Sequence, residues 1–147
     1  MVSVLIVNQK QIMNREIKFR AWLTNGEGVT YSNGSHMEYN ITLVGGKYAD
    51  VEAGWDIQGV SDYPVMQYTG LKDKNGIEIY EGDILDNGWQ DIVQVKNGIA
   101  EIEDNEMYGS NQVSGFYLVD KSYETHIDLD KNVKVIGNIY ENPELCQ

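Results

Sequence analysis

The chain has 147 residues, 41% of them apolar and 23% charged, with 11 basic residues against 23 acidic ones, a formal net charge of −12 and a single cysteine. That length supports one domain whose core needs no metal or disulfide staple, and the lone Cys146 excludes an internal disulfide framework. The acidity argues against a protein that coats phosphates with its whole surface, and the apolar run Val4-Leu5-Ile6-Val7 is too short to cross a membrane as a helix.

The first twelve residues carry no turn signals and precede a second methionine, Met13. Residues 1–12 read as a weakly ordered extension, with an added edge strand over Val2–Val7 as the alternative. Residues 13–147 read as one domain, with an N-terminal β region over 13–75 and a barrel-like region over 76–147.

Alternation begins at Ile17, with Ile17, Phe19 and Ala21 on one face and Lys18, Arg20 and Trp22 on the other. Arg15, Lys18, Arg20 and Trp22 therefore form the one basic, aromatic face that nucleic acid could contact, and the same charges also read as solvated or as paired with the acidic remainder of the chain. Asn25-Gly26 and Asn33-Gly34 are turn dipeptides, because both residues tolerate the positive φ of a type I′ turn. Tyr39, Ile41 and Leu43 repeat the strand pattern up to Gly45-Gly46. Pro64 marks an edge or a strand start, since it cannot donate to a ladder.

Asn75-Gly76 turns the chain before Ile77 and Ile79, and Asn87-Gly88 turns it again. Ile92-Val93-Gln94-Val95 leads to Asn97-Gly98, from which Ile99-Ala100-Glu101-Ile102 returns as a hairpin. Phe116–Val119 and Val133–Ile136 are further strands. Asn142 followed by Pro143 predicts one closing helical turn. The class is mostly β.

Signatures of catalysis are missing from the sequence. It holds no phosphate loop, no nucleophile elbow and no Rossmann fingerprint. His36 and His126 lack ligand spacing for zinc; Asp73–Gly76 has the glycine of a calcium loop but Leu71 and Gly82 at its first and twelfth positions, and Asp128–Asn132 has Val133 and Ile139 where the glycine and glutamate would stand. Glu101, Glu103, Asp104 and Glu106 read as a solvated acidic loop or as a site for a basic partner. The expectation is a non-enzyme with no catalytic residue, no metal and no cofactor. Ten tyrosines stand against two phenylalanines. Tyr68, Tyr80, Tyr108 and Tyr140 are candidates for a partner surface, and half-exposed sheet faces explain such tyrosines equally well.

Three stretches carry a family resemblance: Arg15-Glu16-Ile17-Lys18-Phe19-Arg20-Ala21-Trp22, then Val65 to Ile84 with its core Tyr68-Thr69-Gly70-Leu71-Lys72-Asp73-Lys74-Asn75-Gly76 and Tyr80-Glu81-Gly82-Asp83, then Val135-Ile136-Gly137-Asn138-Ile139-Tyr140-Glu141-Asn142-Pro143-Glu144-Leu145. In this order they resemble the YopX family of small bacteriophage and prophage proteins. The resemblance implies a β-rich fold, Met13 as a natural start and residence in the bacterial host cytoplasm; it implies no activity. Asn75 and Gly76 read as a hairpin turn, and Gly82 and Asp83 as a bend in which the aspartate bonds the local backbone. The strands after that bend are similar to a small SH3-like barrel filled by Ile84, Val93, Val95, Ile102, Phe116, Leu118, Val135 and Ile139. The expected function is an accessory module that binds a host or phage protein, with no membrane association. The alternatives are nucleic-acid contact through the basic first strand and a self-associating structural protein joined through a sheet edge.

Overall fold

A computed structural model describes residues 16–25, 34–44, 47–50, 63–88, 91–103, 110–120, 124–126 and 132–146. The extension 1–12, Arg15, Tyr108 and most of the acidic loop lie outside them. Ten strands are present among these residues: β1 (Phe19–Leu23), β2 (His36–Val44), β3 (Lys47–Asp50), β4 (Val65–Lys72), β5 (Glu78–Tyr80), β6 (Asp83–Asp86), β7 (Ile92–Glu103), β8 (Ser110–Val119), β9 (Glu124–His126) and β10 (Lys134–Asn138). A 3-10 turn over Pro143–Cys146 closes the chain. The protein is mostly β, built from curled antiparallel sheets with a half-barrel. One sheet has the order β3-β2-β1-β4-β5 and the other β10-β6-β7-β8-β9. The chain passes between them at Glu81-Gly82, between Tyr80 and Asp83.

β1 is the central strand, with its edges paired to β2 on one side and β4 on the other, and side chains pack over both its faces. Ala21, Leu23 and Ile41 form a core on one face, flanked by Phe19, Tyr63 and Val65. On the other face Trp22 packs with Met37 against Met66, Tyr68 and Tyr80. The β1–β2 register skips one residue between Phe19↔Ile41 and Ala21↔Glu38. This bulge has a consequence that simple alternation misses. It sends Tyr39 to the Tyr80 side, with ring centroids 6.2 Å apart, while Ile41 points into the opposite core.

In the second sheet, Leu85, Val93, Val95 and Leu118 pack with Ile79 of β5 and Val133 into one core, edged by Leu71, Phe116 and Val135. The sheets therefore share this core. Fully burying a side chain of this size is worth about 1.5–3 kcal/mol. Ile102, expected in the same interior, belongs elsewhere: with Ala100 and Tyr117 it forms a separate core, flanked by Val113 and Val119.

The reason lies at Asn97-Gly98, which is not a turn. β7 runs unbroken through it, and Gly98 stands opposite Gly115 of β8. Before this rung β7 buries odd-numbered residues, Val93 and Val95; beyond it the strand buries Ala100 and Ile102, on the opposite face. Both glycines have positive φ, 155° and 134°. The space around each is open to a methyl group, so only the backbone angle demands glycine. The curl brings β9 against β7, where the Glu101 N–H donates to Glu124 Oε2 at 3.2 Å. That curl encloses the second core.

Edges and turns are closed by side chains. Asp73 Oδ1 accepts from the N–H groups of Asn75 at 2.7 Å and Ile77 at 2.9 Å, which fixes the Asn75-Gly76 turn. Its Oδ2 accepts from the Val135 N–H of β10 at 3.1 Å, and Lys74 N–H donates to Val133 O beside it. Asn142 caps in an unexpected direction. Its side-chain oxygen turns back toward the Asn138 N–H rather than forward into the final turn, and its backbone oxygen accepts from Leu145. A methyl group on Gly137 would overlap that Asn142 side chain.

Burial alone would raise the Asp73 carboxyl, but the N–H donors of Ile77, Val135 and Asn75 outweigh it and hold the pKa below its ordinary value. A depressed carboxylate contributes stability that is present above the unfolded-state pKa, about 3.9, and is lost as pH falls through the folded value. Thermal midpoints of the native chain and Asp73→Asn, followed downward from pH 5, should therefore converge below about pH 4. A constant gap across that range rules this account out. Gly115→Ala should cost about 1–3 kcal/mol through backbone strain alone, read as a lower denaturant midpoint with unchanged slope.

Candidate functional site

The residues singled out in the first strand meet those of the central motif at the junction between the sheets. Arg20 projects from β1 toward Asp83 at the start of β6, and its Nη2 lies 2.6 Å from Asp83 Oδ1. Arg20 is 3% exposed and Asp83 1%. Asp83 Oδ2 accepts from the Tyr80 N–H at 2.8 Å, closing the Glu81-Gly82 turn. Burial pushes the Asp83 carboxyl up, against the pull of the Arg20 guanidinium and the Tyr80 N–H. The guanidinium also lies over the Tyr80 ring, 4.7 Å from its centroid. Its Nε makes no hydrogen bond.

Gly82 connects both sheets through its own backbone. Its N–H donates to Val95 O of β7 at 2.8 Å, and its carbonyl accepts from Ile139 N–H at 3.0 Å. The adjacent Glu81 N–H donates to Gln67 O of β4 at 2.9 Å. The φ of 80° at Gly82 is one a side chain rarely adopts. After Ile139, Tyr140 stacks on Trp22 with centroids 6.1 Å apart and planes 16° from parallel. Asn138 holds this C-terminal turn, accepting the N–H groups of Tyr140 at 3.0 Å and Glu141 at 2.9 Å on its side-chain oxygen.

The placement corrects two expectations. Arg20 presents no cation to solvent: it is buried and paired. Lys18 sits 2.7 Å from Glu78 Oε1 and 3.2 Å from Glu16, and its pKa is raised chiefly by the hydrogen bond to Glu78. Tyr140 covers part of Trp22. The basic face therefore packs against the Tyr80–Asp83 turn and the C-terminal segment; sequence alternation revealed the face but not the partner waiting for it. Tyr68 and Tyr80 are likewise buried and offer no partner surface. The Tyr80 hydroxyl donates to Glu78 Oε2 at 2.9 Å, and its pKa is raised by burial first and then by that carboxylate.

Partly exposed around this junction are Trp22, Met37 and Tyr140, with Tyr39 47% exposed. Nothing in the local sequence pattern marks Tyr39 as part of this surface, because the bulge that turns it toward Tyr80 leaves no trace there. No group of three or more potential metal ligands occurs among the described residues, and no helix among them is long and apolar enough to cross a membrane.

Removing one member of a buried ion pair strands the other charge, at a cost of about 3–5 kcal/mol, whereas an apolar replacement of both is often neutral. Asp83→Leu should thus destabilise strongly in chemical denaturation, and Arg20→Met combined with Asp83→Leu should recover part of the loss. Additive losses in the double variant would show that the pair is not the unit described.

The family model described as "YopX protein" matches residues 18–147. Among solved structures, the chain is similar to "Crystal structure of protein EF1440 from Enterococcus faecalis", with 25% identity over 90% of this chain and 99% of that one, at a TM-score of 0.34. No curated protein matches the sequence. The family match begins at Lys18, two residues before Arg20, and takes in the Glu81-Gly82 junction and the Tyr140 turn. The chain belongs to the YopX family.

Proposed function

We propose that this protein is a non-enzymatic accessory module of a phage or prophage that binds a host or phage protein in the bacterial cytoplasm. The observation that supports this reading is the contrast at the sheet junction. Charged groups of the motifs are engaged internally, in Arg20–Asp83, Lys18–Glu78 and the Asp73 turn, while rings of Trp22, Tyr39 and Tyr140 keep surface open around Met37. Aromatic side chains of this kind supply contact area at interfaces with little loss of conformational freedom, and methionine adapts its shape to what covers it.

Tyr39→Ala is the informative variant. Its ring is about half exposed, so truncation leaves the buried cores intact. Affinity capture from host or infected-cell lysate should return a stoichiometric partner with the native chain and lose it with Tyr39→Ala. Repeated capture of nothing by the native chain, across uninfected and infected lysates, contradicts the proposal.

A further inference from the structure

We infer that the aromatic surface of Trp22, Tyr39 and Tyr140, with the adjoining carboxylates of Glu81 and Glu141, receives an arginine-bearing segment of the partner protein. The inference rests on the binding-module reading and names the chemistry of the partner.

Charge complementarity at the site carries it. Glu81 is only partly exposed, and among the described residues neither it nor Glu141 makes an ion pair. Burial raises the Glu81 carboxyl, with only the Gln67 backbone N–H opposing that shift. The nearby cation is already engaged, because Arg20 lies 2.6 Å from Asp83. Glu81 and Glu141 thus leave a net negative charge at the rim of an aromatic surface.

The backbone places these groups side by side. Glu81 directly precedes Gly82, whose carbonyl accepts the Ile139 N–H at 3.0 Å, and Tyr140 directly follows Ile139. Burial raises the Tyr140 pKa, the Glu81 charge adds to that rise and the Arg20 charge opposes it. Glu141 Oε2 is held by the Asn138 side-chain amide, which fixes its position without neutralising it. Met37 sits across from Trp22 on β2, and Tyr39 lies two residues further along the same face.

A guanidinium satisfies both halves of this surface. Its plane stacks on aromatic rings while its edge donates to a carboxylate, and it is weakly hydrated enough to be desolvated there. The molecule uses this combination once internally: Arg20 lies over Tyr80 while bonding Asp83. The outer surface repeats the ring-and-carboxylate pairing without a resident cation among the described residues. The overall charge of −12 would draw a basic segment toward the molecule and raise its encounter rate.

The test is a titration of the isotope-labelled full chain with the peptide acetyl-Arg-Gly-Arg-Gly-Arg-amide, followed by amide-resolved NMR. Saturable shifts are expected at Trp22, Tyr39, Glu81, Tyr140 and Glu141, and Glu81→Gln should weaken binding about tenfold, as expected for a lost charge-assisted contact. Glu144→Gln removes an exposed charge from the same C-terminal segment and should leave the affinity unchanged. Glu81→Gln should melt no lower than the native chain, since it removes a partly buried carboxylate with a raised pKa. A non-saturating titration, shifts spread over the acidic surface, or equal weakening by both glutamine variants overturns the inference. The lysate experiment separates it from the broader proposal. A partner lost with Tyr39→Ala but fully retained by Glu81→Gln leaves the module standing and removes the arginine site.

Discussion

A buried ion pair between β1 and β6 sets the arrangement of the two sheets. Arg20 and Asp83 are 63 residues apart in sequence and 2.6 Å apart in space. Neither charge can be left alone at that depth, so the structure is committed to bringing the central strand of one sheet against the opening strand of the other. Hydrophobic contact alone would tolerate sliding between two curled sheets. A charge pair that also fixes the Tyr80 N–H and a ring face tolerates much less.

The backbone of Gly82 works with this pair. Its N–H and carbonyl reach β7 and Ile139, and the neighbouring Glu81 N–H reaches β4, so one turn holds three other chain segments. The family-defining stretches therefore find their physical meaning in one another. Lys18 meets Glu78, Arg20 meets Asp83, Trp22 meets Tyr140, and Asp73 meets the start of β10. They are parts of a scaffold that leaves aromatic surface open at its margin.

The half-barrel depends on a different constraint. A sheet that must bury both faces, one under the shared core and one within its own curl, has to bend sharply along β7 and β8. The Gly98–Gly115 rung supplies that bend through two backbones at positive φ, without breaking the ladder. The same Asn-Gly dipeptide is a turn at Asn75-Gly76 and a mid-strand bend at Asn97-Gly98. Local preference permits both, and the strand paired opposite decides between them.

The sequence by itself determined the mostly-β class, the turns at Asn75-Gly76 and Asn87-Gly88, the closing turn after Pro143 and the family. It did so because short-range periodicity and backbone preference are local properties. Most of the proposed interior was legible too, with Ile84, Val93, Val95, Ile102 and Leu118 all buried, since apolar alternation reports burial whatever covers it. Tertiary structure alone decided which core Ile102 joins, that Tyr39 and Ile41 part company at a bulge, and that Arg20 is buried. Alternation tells that Lys18, Arg20 and Trp22 share a face; it carries no record of an acidic turn some sixty residues away. A basic strand awaiting a ligand and a basic strand neutralised from within have the same local pattern. Only long-range pairing, enforced by the cost of an unpaired buried charge, separates them.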